Sequence, residues 1–208
     1  MNESASTPAT STPGRCARDL YAVLETHSGD MAAARTEVIP LLAGLARRPD
    51  LLEIGLPRES NHGSGGSWLY WDGEIGLFTA HFPDGITVPV HDHGTWEIVG
   101  TYTGELDYQA YRRVDDGSVD GHAELEVVED RVLRPGDFSV VPPPPDDIHG
   151  FEPRGGDMWM MGVLHGAFSQ ERRYFDLETG TYVLRQQQAW RRSLSLDAPR
   201  GDSQRQAT

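Results

Sequence analysis

Between residues 67 and 177 the sequence breaks into short β-type runs cut by turn signals, and nothing between them carries the three-to-four-residue apolar spacing of a helix. The runs cover 67–71, 74–82, 87–93, 96–103, 106–112, 123–128, 131–133, 138–141, 158–164 and 174–177. Ten strands joined by glycine turns predict an all-β antiparallel sandwich or barrel. Ahead of them, Leu20, Val23 and Leu24, then Val38, Leu41, Leu42 and Leu45, recur at helical spacing. The expected organisation is a helical N-terminal extension over 15–60 and a barrel over 61–190, with Pro40 kinking or restarting the second helix. Residues 1–14 and 191–208 are too polar to bury anything and are expected to be disordered tails.

One segment of this β region carries chemistry. It reads Gly85-Ile-Thr-Val-Pro-Val-His91-Asp-His93-Gly-Thr-Trp-Glu97-Ile-Val-Gly-Thr-Tyr-Thr-Gly104. Side chains alternate faces along a strand, so His91, His93 and Glu97 are expected to point the same way from one strand and to offer two imidazoles and a carboxylate to one metal ion. A third ligand must come from elsewhere. His149 is the best candidate, because a Pro-Gly-Asp turn at 135–137 launches a short apolar strand that ends in prolines, and this lone histidine follows. Three imidazoles with an optional carboxylate suit Fe(II), Mn(II), Ni(II), Cu(II) or Zn(II). Glu97 is open to two roles: a fourth ligand, or a base or hydrogen-bond acceptor beside the metal.

The two segments resemble the paired signature motifs of the cupin superfamily. The first matches its G-(x)5-H-x-H-(x)3-E-(x)6-G pattern without a gap; the second is looser, with two extra residues between Pro142 and His149. The resemblance implies a double-stranded β-helix, a jelly-roll barrel. A narrower resemblance is to the cysteine dioxygenase type I family and its bacterial thiol dioxygenase branch. It rests on His91-Asp-His93-Gly-Thr-Trp96 with 98–104, Pro-Gly-Asp137 with Asp147-Ile-His149, the strand ending His165-Gly166, and 171–180, and it spans about residues 67 to 183. It implies that His91, His93 and His149 hold Fe(II) and that a small thiol carboxylate is oxidised by O2. The chain departs from that family in three places. The outer-shell Ser-x-His-x-Tyr relay is replaced by Met161-Gly-Val163-Leu-His165, the early strand 67–71 has no arginine, and Glu97 adds a negative charge.

His165 closes an apolar strand that should line the cavity, which makes it the expected proton-transfer or substrate-binding group. His27, His62 and His122 are expected on the solvated surface, and His81 could face either way. Arg172 and Arg173 could clamp a substrate carboxylate or form an exposed turn pair.

Composition removes competing classes. With 18 basic and 32 acidic residues among 208, the net charge of −14 argues against a nucleic-acid partner and an anionic membrane surface. Every basic residue is arginine, so lysine Schiff-base and pyridoxal chemistry are excluded. Cys16 is the only cysteine, which rules out an internal disulfide and a thiolate-rich zinc site. A cytoplasmic location fits, and the longest apolar run is too short to span a bilayer. The expected activity is that of a metal-dependent cupin, an Fe(II) dioxygenase using O2 on a small thiol or related carboxylate. The alternatives are a non-redox metal-dependent isomerase, lyase or hydrolase, and a ligand-binding module. A homodimer is compatible with the sequence, since cupins often pair through their sheets.

Overall fold

A computed structural model describes residues 11–60 and 62–186. The tail expected at 191–208 lies outside the described residues, as does most of the one expected at 1–14. Its last residues instead start a helix. Thr12 is the N-cap, its side chain accepting from the Arg15 amide at 3.3 Å, and Pro13 occupies the first turn, where a missing N–H costs nothing. Helix α1 (Pro13–Thr26) ends at a reversal through Ser28 and Gly29, both at positive φ. Helix α2 (Met31–Ala46) is capped by Asp30, which accepts from the Ala33 amide at 3.1 Å, and it runs through Pro40 undivided.

Twelve strands follow, in two antiparallel sheets. The first contains β1 (Leu56–Arg58), β2 (Gly65–Trp71), β3 (Ile75–Phe82), β5 (Glu97–Thr103), β8 (Phe138–Val141) and β10 (Met158–His165), in the order β1-β2-β3-β10-β5-β8. The second contains β4 (Val88–His91), β6 (Leu106–Arg113), β7 (Leu125–Leu133), β9 (Ile148–Pro153), β11 (Glu171–Asp176) and β12 (Thr181–Gln186), in the order β12-β11-β4-β9-β6-β7. Two facing sheets with this crossing-over order form the jelly-roll, double-stranded β-helix barrel that the sequence predicts. Among the described residues no helix is long and apolar enough to cross a membrane.

Period-two alternation sorts the residues of the first sheet into two cores. Phe78, Ala80, Phe82, Val99, Met160 and Leu164 face inward, against Tyr108, Leu133 and Phe151 of the second sheet. Ile75, Leu77, Ile98, Met161 and Val163 face outward and are covered by Leu20, Leu24, Val38, Leu42 and Leu45 of the helices. A sheet buried on both faces explains why its strands read as nearly unbroken apolar runs. The second sheet is covered on its outer face only by a small cluster of Tyr111, Ala123, Ile148 and Phe175, and its edge strands β7 and β12 are mostly exposed.

Three details differ from the sequence reading. The runs at 123–128 and 131–133 are one nine-residue strand, β7. Strands β1, β9 and β12 were not expected: β1 has only three residues, β9 carries Gly150 and Pro153, which mark turns elsewhere, and β12 pairs its Tyr-Val-Leu run with polar residues at both ends. The stretch from His91 to Glu97 is not a single strand. β4 ends at His91, Gly94 turns at φ +75°, and β5 begins at Glu97 in the opposite sheet.

The helices and the barrel share one core, so emptying it should destabilise the whole. Leu42→Ala is expected to lower unfolding stability by about 2–5 kcal/mol in chemical denaturation. A loss below about 1 kcal/mol would mean that the helices pack only loosely on the sheet.

Candidate metal centre

His91 and His149 stand directly opposite each other in the antiparallel pairing of β4 and β9, which fixes their Cβ atoms about 4.5–5.5 Å apart. The third imidazole comes from the turn after β4. His93 lies there because Asp147, just ahead of β9, accepts hydrogen bonds from the amides of both His93, at 2.9 Å, and Gly94. The same turn is tied to its other neighbours. The Ser169 amide donates to the His93 carbonyl at 2.7 Å, and Asp92, pointing away from the cavity, accepts from the Arg173 amide at 2.7 Å and its guanidinium at 2.9 Å. Neighbouring strands of the second sheet and the loops ahead of β9 and β11 therefore converge on one point.

Each imidazole is held through Nδ1. His91 Nδ1 donates to the Pro89 carbonyl at 2.8 Å, His93 Nδ1 to the Asp147 carbonyl at 3.3 Å, and His149 Nδ1 meets the Tyr108 hydroxyl at 3.2 Å. That leaves the three Nε2 atoms for an ion, and the ligand atoms of these residues lie within 4.8 Å of one another. All three rings are about 2% exposed. Burial pushes their pKa values down, His149 to about 3, with neighbouring imidazoles and Arg172 adding to the effect. The rings are thus neutral at physiological pH, the form that binds a metal. Neutral donors converging on one point, two of them with the tautomer set by a backbone carbonyl, fit a first-row transition ion, and these three residues can hold a metal.

Glu97, which opens β5, places Oε2 3.3 Å from His93 Nε2. It adjoins the imidazole cluster without being one of the three mutually close donors. Burial raises its pKa to about 7, against the opposing pull of Arg172 and Arg58. The cavity around these groups encloses about 430 Å³ including its mouth, room for a small molecule only. Its walls are mixed: Phe78, Phe82, Val88, Phe151, Met160 and Phe168 supply the apolar part, and Arg58, His62, Glu97 and Arg172 join the imidazoles on the polar part.

His165 does not reach this cavity. It shares the parity of Met161 and Val163, so it faces the helices' side of the sheet, exposed and stacked on Trp96 at 5.4 Å. The strand does line the cavity, but through Met160. Arg173 also stays outside, in its ion pair with Asp92, and His81 pairs with Ser64 and Asp157 near the surface.

Three further residues line the site: Arg172, for which the sequence left a clamp or an exposed turn pair open, Arg58, which it did not single out, and His62, which it placed on the surface. Arg172 is 4% exposed and enters the cavity with its guanidinium 4.3 Å from the Phe168 ring centroid. Arg58, at the end of β1, enters from the first sheet over Phe78 and Trp68. His62, expected on the surface, is half-buried, 5.2 Å from the His91 ring and bonded to the Tyr174 hydroxyl at 3.1 Å. Local spacing gives no signal for Arg58 or His62. Only the pairing of β1 at the sheet edge brings them in.

No family model and no curated protein matches the chain. Its fold is similar to solved cupin structures. An RmlC-like cupin from Shewanella frigidimarina shares 20% identity over 55% of this chain and 86% of that one, with a TM-score of 0.41. KdgF from Halomonas sp. shares 19% over 53% and 87%, with a TM-score of 0.40. Hydroquinone 1,2-dioxygenase from Sphingomonas sp. TTNP3 shares 14% over 50% and 67%, with a TM-score of 0.40. These are likenesses of fold, and the chemistry of the site rests on its own geometry.

Two outcomes follow from the cluster. His149→Ala should abolish uptake of a divalent metal while circular dichroism shows the barrel intact, since the core does not depend on that ring; unchanged metal content would sink the ligand assignment. The second concerns acid. Below the ordinary imidazole pKa of 6.5 the unfolded chain binds protons that the buried rings refuse, so metal-free protein should lose stability as pH falls. The slope is up to about 1.4 kcal/mol per pH unit for each ring. Glu97 acts in the opposite sense between its raised value of about 7 and the ordinary 4.5, and offsets one ring. Denaturation midpoints that stay level or rise between pH 6.5 and 4.5 would contradict the buried neutral cluster.

Proposed function

We propose that this chain is a non-haem iron dioxygenase that uses O2 to oxidise a small thiol or a related carboxylate metabolite. The observation that carries the reading is the arrangement of three neutral imidazoles on one side of a small cavity of mixed polarity that also takes in the guanidiniums of Arg58 and Arg172. His91, His93 and His149 would hold the ion. Bound there, Fe(II) would supply adjacent open positions and redox chemistry toward O2. The likeness of His91-Asp-His93-Gly-Thr-Trp96 to thiol dioxygenase motifs supports this choice over the other metals that fit the same donors.

The remaining tasks fall to side chains. Arg172, close enough to the three rings to lower their pKa values, receives the anionic group of the substrate and orients it against the imidazole face. The phenylalanines at 78, 82, 151 and 168 exclude water, which strengthens that ionic contact. Glu97 offers a carboxylate beside His93 that can accept a proton from a bound thiol or hydroxyl.

Metal analysis of the protein as purified, followed by anaerobic Fe(II) loading and oxygen-electrode assays against small thiols and carboxylates, tests the reading. About one iron per chain with substrate-dependent O2 uptake is expected. Turnover without O2 uptake would contradict it and favour non-redox chemistry with Glu97 as base. A chain that takes up no metal would be a binding module.

A further inference from the structure

Nine described arginines carry an ion pair, as expected in a chain with so many carboxylates. Of the five others described, Arg35, Arg47 and Arg185 are exposed, and the remaining two, Arg58 and Arg172, line the cavity. Among the described residues no carboxylate lies within 4 Å of either guanidinium, and the Nε of each is buried without a hydrogen-bond partner. Cations removed from water need a counter-charge, and these rest on aromatic faces instead: Arg58 4.4 Å from the Phe78 centroid, Arg172 4.3 Å from that of Phe168. The only acid lining the cavity is Glu97, whose Oε2 is 3.3 Å from His93 and so turns toward the imidazoles. Two positive groups are thus held in one small cavity with at most one negative side chain to share.

They are not equivalent. Arg172 lies on β11 two residues before Tyr174, which pairs with His91, and so stands on the imidazole side of the cavity; like Arg58 it interacts with Glu97. Arg58, from the edge of the first sheet, interacts with Glu97 and Arg172. A monoanion set against the imidazole face meets Arg172 and leaves Arg58 unmatched.

We propose, resting on the reading of this cavity as the substrate site, that its ligand is a small dianion with two acid groups, one received by Arg172 beside the imidazoles and the other by Arg58. Each acid group would supply the planar acceptor pair that a guanidinium fork fits. The space between the imidazoles and the two guanidiniums is narrow, so the class is a short dicarboxylate or a thiol-bearing analogue of one.

Isothermal titration of the full chain, metal-free and loaded with redox-inert Zn(II), compares succinate with butyrate, and mercaptosuccinate with 3-mercaptopropionate. The dianion of each pair should bind at least about ten-fold more tightly. Arg58→Gln should collapse that ratio to about two-fold or less, and Arg58→Lys, which keeps the charge, should restore part of it. If Arg58→Gln does not fold, the wild-type ratios and Arg58→Lys still decide. Ratios near one in the wild type, no measurable succinate binding, or a ratio unchanged in Arg58→Gln would overturn the proposal. Metal uptake measured on the same samples separates the two readings. Dianion preference in a chain that takes up no metal leaves this inference standing and removes the dioxygenase. Metal uptake and O2 consumption with equal affinities remove only the inference.

Discussion

The Asp147 carboxylate, which binds the backbone amides of His93 and Gly94, is the interaction on which the site depends. Between His91 and Glu97 the chain must leave one sheet and enter the other within five residues. Gly94 makes this possible at φ +75°, where a side chain would be strained and its Cβ would stand 2.8 Å from that of Ser169. Asp147 precedes β9 by one residue, so the clamp that shapes the turn also sets the position of His149. Removing the carboxylate would leave the buried His93 amide unpaired, at about 1–3 kcal/mol, and free the ring of His93 to move.

The barrel accepts this buried polar cluster because every ring has a partner through Nδ1 and because apolar packing surrounds it on both sides. The first sheet is filled by side chains of the second on its inner face and by α1 and α2 on its outer face. Rigid walls of this kind hold donors in place without a ligand to organise them, the preorganisation on which binding and catalysis draw. The two guanidiniums do not share this balance. They are the least compensated charges in the interior, and their cost is set against what they bind.

Much of this was legible in the sequence. Strand content and the helical extension follow from two-residue and three-to-four-residue periodicities, His91 and His93 from the motif at 85–104, and His149 from the Pro-Gly-Asp turn at 135–137 and the short strand it launches. Where reading failed, a local rule met a long-range constraint. Alternation placed Glu97 beside His91 and His93 on one strand, whereas the convergence comes from a turn that carries Glu97 into the opposite sheet. Parity along β10 decides that Met160 faces the cavity and His165 the helices, and parity cannot be assigned until the partner strands are known. Strand β9 was hidden by Gly150 and Pro153. Arg58 and His62 sit in a segment with no motif at all, and they matter only because β1 pairs with β2 at the sheet edge.

The central claim is that three imidazoles from two neighbouring strands and one turn hold a single ion facing the arginine-lined cavity. A crystal structure of metal-loaded protein with anomalous scattering data recorded at the metal edge tests it most directly. The account predicts one strong peak about 2.0–2.3 Å from the Nε2 atoms of His91, His93 and His149, on the side open to Arg172. A peak coordinated elsewhere, or by fewer than two of these rings, would contradict it.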